Sequence, residues 1–188
     1  QGDFEADQPF SLAFWMMARM KTGNADTGTG AIVSRMGDSQ RMAHRGWDIF
    51  CDGSKFVIHI IHQWPQHAIR VETEPFPRGV WRHVGFTYDG SSKAAGVKLY
   101  IDGRETPLKI THDTLQPGQT IRTDARMQVG RRDDEQPLRE TRFQDLRLYQ
   151  RALSGEEFAR LPFEDVAAEI VARQPDPAEW GSDERFIV

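Results

Sequence analysis

Cysteine occurs once in this chain of 188: Cys51 stands alone, so an internal disulfide and a thiolate metal cluster are both excluded. A lone small residue inside an apolar run reads as core. Long hydrophobic runs are missing too. The apolar share is 38%, and no stretch approaches the roughly 20 consecutive apolar positions that a helical bilayer crossing needs, so no membrane span is expected. Basic charge is not in excess: residues 1–150 hold 20 Lys/Arg against 19 Asp/Glu, and residues 151–188 hold 4 against 9. A near-neutral body without a basic stripe lacks the footprint that phosphate backbones require, which argues against a nucleic-acid partner. No Walker-type loop, dinucleotide fingerprint or Cys-x-x-Cys-His haem attachment occurs, so no such cofactor is expected. The chain opens Gln1-Gly2-Asp3, with neither an initiator Met nor a basic-then-apolar leader, and is expected to be a piece of something longer.

What is present is period-two alternation. From Phe10 to Met20 every even position is apolar or small, as in a strand that fills a core with one face; a helix would not keep that parity. Further strands are expected at Ala31–Arg35, Trp47–Cys51, Phe56–Ile61, Ala68–Glu72, Trp81–Tyr88, Val97–Ile101, Met127–Gly130 and Phe143–Tyr149. Asp52-Gly53 and Asp102-Gly103 mark two hairpins, because glycine accepts the positive φ of a tight turn. Nine short strands with such turns predict an all-β fold, a two-sheet antiparallel β-sandwich. Helix is expected only near the end. Ser154-Gly155-Glu156-Glu157 matches a capping box, and Phe163–Arg173 has apolar residues at helical spacing ahead of Pro175 and Pro177. Residues 1–161 therefore read as one sandwich domain, and 162–188 as an acidic helical tail or linker.

Three stretches together resemble the laminin-G-like branch of the concanavalin A-like lectin/glucanase superfamily. They are Phe10-Ser11-Leu12-Ala13-Phe14-Trp15-Met16; then Trp81-Arg82-His83-Val84-Gly85-Phe86-Thr87-Tyr88-Asp89-Gly90 with Lys98-Leu99-Tyr100-Ile101-Asp102-Gly103; and then Phe143–Ser154. The resemblance implies a concanavalin A-like jelly roll and a range of roles, from lectin-like binding and structural docking to polysaccharide hydrolysis or lysis, so the fold alone does not select among them. Gly46-Trp47 and His59–Val71 further resemble the sandwich inserted in large planctomycete cytochrome c-type multidomain proteins. That likeness implies an exported, periplasmic or extracellular, parent with neighbouring domains.

Each chemical reading has a bland counterpart. Glu72-Thr73-Glu74 has the alternate spacing of paired glycosidase carboxylates, which must stand about 5–9 Å apart, yet it runs straight into Pro75-Phe76-Pro77 and reads as a solvated strand end. Asp133-Asp134-Glu135 suits calcium or an exposed acidic loop. His59, His62 and His67 invite a base or metal reading, but His59 and His62 fall on opposite faces of a regular strand. Trp15, Trp47 and Trp81 read as sheet packing. Asp145 interrupts the closing strand, where Asp3, Glu5 or Asp7 would join it in a structural calcium site or Arg147 in a salt bridge. The strongest local candidate is a sugar-binding rim of Trp64 with His62, Gln63, Gln66 and His67. A Trp platform removing ~100 Å² from water contributes ~2.5 kcal/mol at ~25 cal/mol/Å², short of the ~4 kcal/mol of millimolar binding, so polar contacts must supplement it. The sequence thus points to a non-catalytic module for a carbohydrate or glycoconjugate, with domain docking and a polysaccharide-active enzyme as rivals.

Overall fold

In a computed structural model the protein forms two antiparallel sheets packed face to face, described here for residues 1–18, 29–37, 43–132, 137–174 and 176–187. In chain order the strands are β1 (Phe10–Ala18), β2 (Gly30–Met36), β3 (Gly46–Asp52), β4 (Lys55–Gln63), β5 (His67–Glu72), β6 (Arg82–Tyr88), β7 (Val97–Ile101), β8 (Arg104–Thr106), β9 (Lys109–Asp113), β10 (Gln128–Val129) and β11 (Thr141–Tyr149). One sheet runs β11-β1-β6-β7-β8 and the other β10-β2-β3-β4-β5-β9. The first and last long strands pair with each other, Ser11 opposite Tyr149 and Leu12 opposite Leu148.

The expected alternation fills the interior. Phe10, Leu12, Phe14 and Met16 of β1 meet Trp47, Ile49, Phe56, Ile58 and Ile60 of the opposite sheet, all essentially inaccessible to water. Phe10 lies 5.2 Å from Trp47 and 5.7 Å from Phe86, the latter edge-on, as aromatic quadrupoles prefer. The indole of Trp47 donates to the Gly2 carbonyl at 2.8 Å, which draws the chain start across the core. Cys51 is buried as expected, and desolvation pushes its thiol up to about 11. Trp81 departs from expectation: it precedes β6 and is 40% exposed, whereas Trp15 packs on the outer side of its sheet against His83.

Two turns show why glycine is needed. Asp102 and Gly103 join β7 to β8 with φ of 51° and 75°, the double positive-φ turn that matches strand twist. Gly85 serves close packing instead, since a Cβ there would lie 2.3 Å from the ring of Phe158. That ring belongs to α1 (Gly155–Arg160), whose capping box is complete: Ser154 Oγ accepts from the Glu157 amide at 3.2 Å and Glu157 Oε2 accepts from the Ser154 amide at 2.8 Å. Phe158 stacks on Tyr100 at 4.3 Å and joins Ala13, Leu153 and Leu161, so α1 seals part of the five-stranded sheet's outer face. After a 3₁₀ turn come α2 (Glu164–Arg173) and α3 (Ser182–Ile187). Among the described residues no helix is long and apolar enough to cross a membrane.

Candidate functional site

On the outer face of the six-stranded sheet, register alone builds a polar row. Asp48 of β3 stands opposite His59 of β4, His59 opposite Arg70 of β5, and Arg70 opposite His112 of β9. Their neighbours Ile49, Ile58 and Ile69 point into the core, so these four side chains point outward.

Asp48 is nevertheless fully buried, because Arg132 closes over it from the segment after β10. Arg132 donates from Nε at 2.9 Å and from Nη2 at 2.6 Å to Asp48 Oδ2, while its guanidinium sits 5.0 Å over the Phe50 ring. Nδ1 of His59 lies 2.8 Å from Asp48 Oδ1. Burial pushes the Asp48 carboxyl toward its neutral, protonated form, but Arg132 and the hydrogen bond to His59 outweigh it and hold the carboxyl below its ordinary range. An ionised carboxylate only accepts, so the His59 proton resides on Nδ1, and Nε2 is the polar atom the ring has left.

Arg70 is fixed in the same manner. Its Nη1 donates to Glu72 Oε2 at 2.7 Å and to Thr111 Oγ1 at 3.0 Å, and Lys55 reaches Glu72 Oε1 at 3.3 Å. Burial pushes Glu72 upward, yet the Arg70 and Lys55 hydrogen bonds prevail and its carboxyl is lowered. A glycosidase acid needs the opposite shift. Glu74, its expected companion, is exposed beyond the strand end. Phe50, Val57, His59, Arg70, Arg132 and Arg139 line a recess of about 580 Å³ on this face, within the range of small-ligand sites.

The rim expected around Trp64 divides between two places. Trp64 folds onto the outer face, packing on Met36, Ile61 and Ala68 with its ring 5.9 Å from His59 and 4.7 Å from His112. His62 falls at a register shift between Ile61 and Gln63 and donates from Nδ1 to the Thr120 carbonyl at 2.7 Å. His67 lies 6.0 Å from His62, and Gln63 and Gln66 are exposed beside the turn. The pair proposed for calcium is engaged by arginines: Asp3 by Arg35 at 3.2 Å, and Asp145 by Arg147 at 2.8 Å. Among the described residues no group of three or more His, Cys, Asp or Glu stands together as metal ligands. The acidic run 133–135 lies outside the described residues.

A sequence model of the concanavalin A-like lectin/glucanases superfamily matches residues 1–159. Solved structures with a similar fold include the binding domain of Paraclostridial Mosquitocidal Protein 1 (TM-score 0.62, 21% identity, covering 86% of this chain and 39% of that one). The Ruminococcus gnavus IT-sialidase CBM40 bound to alpha2,3 sialyllactose is similar too (0.59, 12% identity, 82% of each chain). So is the receptor binding domain of botulinum neurotoxin D (0.59, 14% identity, 85% of this chain and 38% of that one). The chain thus spans about two fifths of the toxin domains it matches. A search of curated proteins finds no match.

Proposed function

The chain belongs to the concanavalin A-like lectin/glucanases superfamily, and from that premise we propose that it is a non-catalytic module that binds a carbohydrate or glycoconjugate on the outer face of its six-stranded sheet. The observation that carries the reading is the recess above the Asp48 row, whose polar side chains are held in place before any ligand arrives. Asp48 holds Arg132 and His59, and Glu72 with Thr111 holds Arg70, so binding incurs little of the usual cost of ordering side chains. Exposed Pro137 supplies apolar surface for a carbon face of a sugar ring. A buried ion pair is a poor way to stabilise a sheet face that apolar residues could fill, which favours a binding role for the groups it orients.

Trp64 then walls one end of the face, while His62, Gln63, Gln66 and His67 form its rim at the β4–β5 turn. Glu72 does not serve as a proton donor, because two cations keep it ionised. Calcium has no part in the proposal: Asp3 and Asp145 are already paired, and adding calcium or EDTA is expected to leave the melting temperature unchanged. Residues 1–161 are the module in this reading, and 162–188 an acidic helical link to a further domain of an exported parent.

Affinity electrophoresis through gels cast with a panel of polysaccharides tests this. At least one gel should retard the chain, and Arg70→Ala should remove the retardation while the melting temperature stays close to that of the parent. Failure across the whole panel, together with binding to isolated flanking domains, would replace this reading with the docking one.

A further inference from the structure

Among the described residues the cations around the recess outnumber the acids, and the geometry points to a ligand with a negative charge of its own, a saccharide bearing a carboxylate or a sulfate ester. This rests on the carbohydrate reading and narrows its ligand class.

Three arginines from separate parts of the chain converge here: Arg70 from β5, Arg132 after β10 and Arg139 just before β11. Among the described lining residues Asp52 is the single carboxylate. Asp48 lies beneath Arg132 and His59, and Glu72 is shared by Arg70 and Lys55, which leaves one positive charge over in that second group. Arg139 is exposed and has no ion-pair partner among the described residues.

The donors that remain are specific. Arg132 gives Nε and Nη2 to Asp48 and keeps Nη1; Arg70 gives Nη1 to Glu72 and Thr111 and keeps Nε and Nη2. A guanidinium fixed by a carboxylate on one edge offers its other N–H groups in a set plane. Charge-assisted bonds from such groups to carboxylate or sulfate oxygens are shorter and stronger than neutral ones. A neutral sugar would leave Arg139 and the surplus charge of the Arg70 and Lys55 group without a counter-ion among the described residues when it displaced water from the recess, whereas an acidic sugar supplies one. Pro137 meanwhile offers exposed carbon surface beside the donors.

Paired glycans that differ only in their acidic group provide the test: 3′-sialyllactose against lactose for the carboxylate, and 6-sulfo-N-acetyllactosamine against N-acetyllactosamine for the sulfate, measured by calorimetry with the whole chain. In at least one pair the acidic member should bind about ten-fold more tightly, and the gap should narrow as salt is raised. Arg139→Ala, at an exposed position, should reduce that preference without shifting the melting temperature, and Asp52→Asn should increase it. Equal affinity within both pairs would overturn the acidic ligand, and a preference untouched by Arg139→Ala would overturn its placement at this recess, carbohydrate binding being left in place by either result. No binding of any glycan, acidic or neutral, across a broad array would overturn both.

Discussion

Asp48 shows how one residue can order a whole sheet face. It interrupts the apolar run Trp47-Asp48-Ile49-Phe50, faces outward, and is still fully buried because Arg132 and His59 enclose it. Removing it strands the Arg132 charge in a dry place, and Asp48→Ala should cost about 3–5 kcal/mol in urea denaturation. The pH dependence has a definite sign. Since the folded-state carboxyl is held below its ordinary value, its stabilisation is fully present above the unfolded value of about 3.9 and is lost as pH falls through the folded one. Glu72 acts in the same direction. The urea midpoint should therefore hold from neutral pH to about pH 4 and then drop; in Asp48→Asn the drop should be shallower, and an unchanged acid limb would refute the assignment. Sequence reading singled out His59 but missed its partner. The signal was there: with Asp52 opposite Lys55 in the β3–β4 hairpin, stepping back four residues on each side places Asp48 opposite His59. Arg132 carries no such signal, since its approach depends on how β10 and the following segment return beside β2.

At the level of elements, α1 is held by its cap and by one aromatic contact. Gly85→Ala would press a methyl group into the Phe158 ring, and overpacking of this kind costs about 1–3 kcal/mol. Ser154→Ala, which removes half of the capping box, should cost about 1 kcal/mol. Both are read by thermal or urea unfolding, and a Gly85→Ala protein as stable as the parent would show that α1 can move aside. The cap, the Asp102-Gly103 turn and the long strands were legible because each has a local chemical signature. Strands β8 and β9 were not. Arg104-Glu105-Thr106 and Lys109-Ile110-Thr111-His112-Asp113 are sheet edges with mostly exposed side chains, so neither carries the apolar alternation that reveals a half-buried strand. The expected Met127–Gly130 strand shortens to Gln128–Val129.

Across the whole molecule the two outer faces differ in kind. One is partly sealed by α1 and its aromatic stack; the other holds a line of polar and charged groups beside an open recess. The order of motifs along the sequence conveyed the sandwich, but which face stays open depends on where α1 docks, and that is set by Gly85, Tyr100 and Phe158 meeting across the fold. The signature around Trp64 is local, whereas the Asp48 row assembles only through the register of four strands on the same sheet. Amide chemical-shift mapping by NMR, with 3′-sialyllactose and the sulfated lactosamine added in turn, tests the placement most directly. Shifts should concentrate at Phe50, Val57, His59, Arg70 and Arg132 and leave β6, β7 and α1 unmoved; shifts centred on α1 and the five-stranded sheet, or none with either glycan, would contradict it.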